Sequence, residues 1–165
     1  MSPQHALELL LHPDDEESVR QQWQALEEAG VRSLARHRGS THRPHLTVVT
    51  GGPPDEAVLD LARTLLGPLL PLTATVEGPV LLGGRRPTLA RRLGVPEAAR
   101  SARGRLTARW PGADRRPWVP HVSLTRRTHP SHLVPALTAL GPTAGSVRLV
   151  QLRWWDPDAG TVTHL

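Results

Sequence analysis

The chain has 165 residues, 38% of them hydrophobic and only 3% aromatic, so it can bury one core packed mainly by Leu and Val. Its net charge is +5 and every basic residue of the Lys/Arg class is Arg, a composition that fits a GC-rich coding bias first and a polyanionic partner only second. The absence of Cys excludes a disulfide frame, a thiol nucleophile and a Cys-ligated zinc. No run approaches the roughly 18 apolar residues of a membrane span. The start, Met1-Ser2-Pro3-Gln4-His5, also lacks the basic and apolar regions of a secretion signal, so a cytoplasmic protein is expected.

Residues 6–11 read as a buried strand. His12-Pro13-Asp14-Asp15 breaks the run, with Asp14 as N-cap of a helix that places Val19, Trp23 and Leu26 on one face and ends at Gly30. Residues 31–42 are polar and read as a loop, with part of a strand at 33–35. After the next strand, Gly51-Gly52-Pro53-Pro54 is a turn with Pro54 at the first helical position. Val58, Leu61, Ala62 and Leu65 then recur at helical spacing until Gly67-Pro68. Residues 72–77 alternate as a half-buried strand, and 80–82 and 88–93 read as two further short strands. A helix opens at Pro96-Glu97, with Ala99, Ala102 and Leu106 inward, and ends at Trp110-Pro111-Gly112. After a basic loop and a strand around His121, residues 131–140 read as a helix, and 147–155 and 161–165 as two strands joined by a turn.

Two stretches stand out in this order. Pro44-His45-Leu46-Thr47-Val48 and Pro120-His121-Val122-Ser123-Leu124 each read Pro-His-aliphatic-hydroxyl-aliphatic. On a strand, His45 and Thr47 face one way and Leu46 and Val48 the other; the second copy behaves alike. A single His-x-Thr strand carries little information. Two copies with the same flanks, at matching places in an approximate internal repeat, carry much more. Element order and repeat indicate an α+β fold with antiparallel sheets.

Two imidazoles on opposite sides of one phosphorus suit phosphodiester displacement. The neutral one takes a proton from the attacking oxygen and the protonated one gives a proton to the leaving oxygen. Thr47 and Ser123 hydroxyls would hold the non-bridging oxygens. The scheme needs no metal and no cofactor. His37, His42 and His45, and His129 and His132, are close in sequence but match no zinc spacing. The chain also lacks a Gly-Lys-Ser/Thr loop and a Gly-x-Gly-x-x-Gly turn, so nucleotide-triphosphate and dinucleotide folds have no support.

His45-Leu46-Thr47-Val48 and His121-Val122-Ser123-Leu124 resemble the paired motifs of the two-histidine phosphoesterase superfamily, and within it the 2′-5′ RNA ligase and RNA 2′,3′-cyclic phosphodiesterase group. The resemblance implies one bilobal domain over residues 1–165, with two antiparallel sheets in a pseudo-twofold arrangement, flanked by helices around a central cleft. It implies metal-independent hydrolysis of 2′,3′-cyclic phosphates to 2′-phosphates, with reversible 2′-5′ ligation in some members. His45 and His121 would be catalytic, and Thr47, Ser123 and Arg126 phosphate-binding. Ser123 replaces the usual Thr. Related proteins often stack a base on Phe or Tyr, which this chain lacks; Trp118 can serve in either that role or packing. The expected partners are RNA ends or small cyclic nucleotides, without a membrane or a metal, and the expected state is a monomer. An RNA-end-binding protein with little turnover and a metal-dependent hydrolase are the alternative readings.

Overall fold

A computed structural model of the chain describes residues 4–165. Residues 1–3 of the start that was read for a secretion signal lie outside the described part. The elements are β1 (His5–Leu11), α1 (Pro13–Glu28), β2 (His45–Gly51), α2 (Glu56–Leu66), β3 (Leu72–Leu82), β4 (Thr88–Gly94), α3 (Glu97–Arg109), β5 (His121–Ser123), α4 (Leu133–Leu140), β6 (Ser146–Asp156) and β7 (Thr161–His164). Among the described residues, no helix is long and apolar enough to cross a membrane.

All strands pair antiparallel in one seven-stranded sheet of order β1-β2-β5-β4-β3-β6-β7, and β1 also pairs with β6. That extra ladder closes the first six strands into a circuit, with β7 outside on β6. The circuit has an internal symmetry. The series β1-α1-β2-α2-β3 is repeated by β4-α3-β5-α4-β6. Exchanging the halves carries β1–β2 onto β4–β5 and β1–β6 onto β4–β3, while β2–β5 and β3–β6 map onto themselves. The expected antiparallel α+β, pseudo-twofold arrangement is present, and its two sheets are hydrogen-bonded into one.

Helices cover one face of the sheet. Leu7, Leu9 and Leu11 of β1 join Trp23, Leu26, Val58, Ala62 and Leu106 in the core, while Glu8 and Leu10, of opposite parity, do not. The helices reach across the halves. Gln22 and Trp23 of α1 bond Arg91 of β4 and the Ser123 carbonyl of β5, whereas Arg103 of α3 bonds the Val48 carbonyl of β2. The polar side chains of the two motif strands are thus left on the uncovered face.

Local details depart from the expected boundaries for physical reasons. His12, not Asp14, caps α1, because its Nδ1 accepts the Asp14 N–H at 3.3 Å. Asp55 caps α2 through the Val58 N–H at 2.8 Å, which leaves Pro54 outside the helix. The strands expected at 72–77 and 80–82 are one, β3, carried past a register shift by Gly78 at φ 112°. The partial strand expected at 33–35 is a single bridge, Ser33 to Thr125, followed by a 3₁₀ turn.

Candidate active site

The two motif strands meet directly. β2 and β5 pair antiparallel with Leu46 opposite Val122. Counting outward from that pair sets His45 opposite Ser123 and Thr47 opposite His121, with all four side chains on the face away from the core. The two imidazoles are diagonal neighbours, a relation that separates backbones by about 7–8 Å. That spacing accommodates one tetrahedral group between them. In β2, a register shift opposite Leu7/Glu8 turns both Val48 and Val49 into the core without disturbing His45 and Thr47.

Both rings are fixed by the same device. His45 Nδ1 lies 2.7 Å from the Arg43 carbonyl and His121 Nδ1 2.6 Å from the Val119 carbonyl. A carbonyl only accepts, so each Nδ1 carries the hydrogen and each neutral ring keeps its lone pair on Nε2. Arg43 is itself held, its Nη2 and Nε donating to Glu16 Oε2 at 2.6 and 3.0 Å. Burial opposes the Glu16 charge, yet hydrogen bonds from Arg43 and Arg20 outweigh it and hold the carboxyl below its ordinary range. The backbone is pinned in matching fashion: Trp118 Nε1 donates to the Thr47 carbonyl at 3.0 Å and Trp23 Nε1 to the Ser123 carbonyl at 3.1 Å.

The surroundings of the two rings differ. Glu8 of β1 is the cross-strand neighbour of Thr47; Ala90 of β4 is that of Ser123. These positions correspond under the pseudo-twofold, so a carboxylate in one half stands where the other has a methyl group. Glu8 Oε1 is 3.4 Å from His45 Nε2, and Glu8 Oε2 accepts from Arg153 Nε at 2.7 Å. Arg153 also donates to the Thr41 carbonyl, which ties the loop before β2 to β6. Among the described residues, His121 has no such partner. Burial pushes its pKa below the ordinary imidazole value, its bond to Val119 offsets part of that, and the charge of His45 adds to the lowering. Glu8 and Arg153 escaped the sequence reading because Glu8 sits in an aliphatic run and Arg153 reads as an ordinary polar position of a strand. The usable signal was that a charged residue inside a buried strand needs a partner.

Thr47, His121, Ser123 and Trp118 line one cavity of about 530 Å³, together with Thr88 and Leu82. Trp118 is half-buried, its N–H engaged and its ring 5.6 Å from the Arg103 guanidinium, so it forms a wall with its position fixed. Arg126 does not line this cavity; it lines the next one along, beyond the end of β5. His42, three residues before His45, stacks on Trp23 at 5.2 Å between centroids. Burial, then the charges of His37, His45, Arg126 and Arg20, lower its pKa to about 4.

Among the described residues, one group is close enough to share a metal ion: His5, Asp156 and Asp158. It sits on the core-side parity of β1 and at the β6–β7 turn, where His5 is opposite Gly51, at the end of β2 remote from His45. His5 Nε2 lies 3.1 Å from Asp158 and Nδ1 3.8 Å from Asp156, an arrangement of two carboxylates around one ring. The expected groupings His37/His42 and His129/His132 are ring contacts, with centroids 4.2 and 6.1 Å apart.

The sequence pattern of the 2′-5′ RNA ligase superfamily matches residues 13–163. No protein of curated function matches the chain. Among solved structures, a crystal structure titled as a phosphoesterase superposes with a TM-score of 0.57 at 16% identity, over 99% of this chain and 96% of that one. The Thermus thermophilus protein TT0787 gives 0.54 at 18%, over 99% and 95%. Kluyveromyces marxianus Usb1, solved with uridine monophosphate, gives 0.54 at 13%, over 98% and 97%. At these identities the likeness is one of fold.

Proposed function

The chain belongs to the 2′-5′ RNA ligase superfamily, which supports a phosphoesterase or RNA-processing role, and on that premise we propose that it hydrolyses 2′,3′-cyclic phosphates by a metal-independent acid-base mechanism. The observation that carries the reading is the pair of rings with matched Nδ1 bonds, leaving two Nε2 atoms on one face beside two hydroxyls.

The asymmetry around the rings suggests which does what. His121, whose burial favours the neutral form, takes the proton of a water as its oxygen bonds to phosphorus. The bond from phosphorus to the 3′ oxygen breaks, and that oxygen receives the proton of His45 Nε2. The Glu8 carboxylate is the ion-pair partner of a proton-bearing His45. Thr47 and Ser123 hold the non-bridging oxygens, and the product is a 2′-phosphate beside a free 3′ hydroxyl. Proton exchange with solvent resets both rings. In the same direction, with a 5′ hydroxyl in place of water, the same two proton transfers give a 2′-5′ linkage and a free 3′ hydroxyl, and their reversal cleaves that linkage.

The test is incubation with a nucleoside 2′,3′-cyclic phosphate in excess EDTA, with the product identified by chromatography. A 2′-phosphate made by wild type, and about 10²–10⁴ more slowly by His45→Ala and by His121→Ala, is the expected result. Turnover that EDTA removes, or that either variant keeps at close to the wild-type rate, would overturn the mechanism.

A further inference from the structure

A second cavity, of about 680 Å³, opens where β5 ends. It is lined by Arg32, Arg36, Arg38, Arg86, Arg126 and Arg127 with three histidines, and by no carboxylate. A third, of about 720 Å³, shares Arg86, Arg127 and His129 with it and adds Arg85. The two form one trough. Among the described residues, Arg36 pairs with Glu27, but Arg32, Arg38, Arg85, Arg86, Arg126 and Arg127 take part in no ion pair. Arginines elsewhere, such as Arg20, Arg43, Arg63 and Arg148, do. Of the eleven arginines that take part in no ion pair among the described residues, six line this one trough.

The trough is built, not a chance meeting of mobile loops. The Leu34 N–H donates to the Leu124 carbonyl at 3.0 Å, and Ser33 bridges Thr125, which fastens the 32–38 segment to the end of β5. The Thr128 N–H donates to the Pro87 carbonyl at 2.8 Å, and the Leu89 N–H to Thr125 Oγ1 at 3.0 Å, which fastens the 83–87 loop to the turn after β5. Thr125 and Thr128 are buried and bond each other. At the apex of that turn, Arg127 is the one described non-glycine residue with positive φ, 52°, a costly conformation held in place by the threonines on either side.

Its place relative to the motif strands is set by the chain. Arg126 lies three positions after Ser123, which limits the distance between their backbones to about 11 Å. This cavity is lined by the segments before β2 and after β5, and the Trp118 cavity by β2 itself and the segment before β5. His121, Thr47 and Ser123 line the Trp118 cavity itself, His45 lines neither, and the chain leads from Ser123 into the trough.

We propose that this trough binds the sugar-phosphate backbone of a single-stranded polynucleotide, so that the ligand is a chain extending away from the motif pair and not a lone nucleotide. The space exceeds what one phosphate fills, and guanidinium groups without carboxylate partners are the donors that successive phosphates require. This deepens the proposed function, and rests on it only in taking the bound chain to be the substrate.

The experiment has two arms. In the first, a fluorescent single-stranded RNA of about ten nucleotides is titrated with wild type, with Arg38→Glu/Arg86→Glu, and with Arg100→Glu/Arg105→Glu. The last pair is exposed on α3 and makes the same change in net charge. The trough variant is expected to bind at least about tenfold more weakly near 0.1 M salt, with a log Kd–log salt slope smaller by about 1.4, two contacts of about 0.7 each. Equal weakening by the α3 variant would overturn the site. In the second arm, kcat/KM is compared for an oligonucleotide ending in a 2′,3′-cyclic phosphate and for a mononucleoside cyclic phosphate. The ratio is expected to fall about tenfold in the trough variant; an unchanged ratio would overturn the chain-length claim. RNA binding that depends on the trough without turnover of either substrate would sink the phosphoesterase reading and keep the trough. Turnover with binding indifferent to the trough charges would do the opposite.

Discussion

The two halves of the molecule share a topology, a motif strand and a way of fixing an imidazole, yet they place opposite chemistry beside it. In the first half, Glu8 sits against His45 and is ion-paired to Arg153. In the second, the corresponding position is Ala90, and His121 is left in a partly dehydrated setting that favours its neutral form. A repeated scaffold supplies the symmetry that a phosphorus flanked by two bases needs. Side-chain differences then break the symmetry, which the proposed mechanism uses by making one ring the proton donor and the other the acceptor. The cavities beyond the motifs diverge too, one walled by Trp118 and the other by unpaired arginines.

The largest effects should come from the rings themselves. His45→Ala and His121→Ala are each expected to lower kcat/KM by about 10²–10⁴, measured with a cyclic nucleotide at fixed pH. If only one half mattered, one of these variants would be nearly silent.

Glu8 marks the asymmetry. Glu8→Gln leaves Arg153 buried without its counter-ion, and denaturant unfolding should show a loss of about 3–5 kcal/mol. Replacing the pair by Glu8→Leu/Arg153→Met should restore most of that stability but not the rate. Recovery of both would make the pair structural alone.

Thr47 and Ser123 provide the symmetric control. Thr47→Ala and Ser123→Ala should each lower kcat by up to about 10², and within about threefold of each other, if the two hydroxyls hold equivalent oxygens.

The smallest effect concerns the entry to β2. The folded pKa of His42 is depressed to about 4 from 6.5, so its contribution is complete above pH 6.5 and is lost as pH falls toward 4, where the unfolded chain binds the proton first. Unfolding free energy should drop over that window by up to about 3 kcal/mol more in wild type than in His42→Gln. The segment before β5 has no such histidine, since Trp118 stands at the equivalent place.

Much of this was legible in the sequence. Strand parity put His45 with Thr47 and His121 with Ser123, and the repeat predicted that they would meet. The helices were legible from the spacing of residues such as Val58, Ala62, Ala99, Ala102 and Leu106. The partners were not. Glu8 and Arg153 are 145 positions apart and meet only through the β1–β6 ladder, which no local pattern encodes. Arg43 and Glu16 are 27 positions apart, and only the fold brings them together. Arg126 follows the motif in sequence, but the turn after β5 carries it into the neighbouring trough. Gly78, which reads as a break between strands, is the bend that keeps β3 whole.

The most direct measurement of the central claim is the pH profile of kcat/KM in wild type and in the two histidine variants, with a mononucleoside 2′,3′-cyclic phosphate in EDTA. The account predicts a bell for wild type, loss of the acidic limb in His121→Ala, and loss of the alkaline limb in His45→Ala. The reverse assignment of limbs, or a wild-type profile flat from about pH 5 to 9, would contradict it.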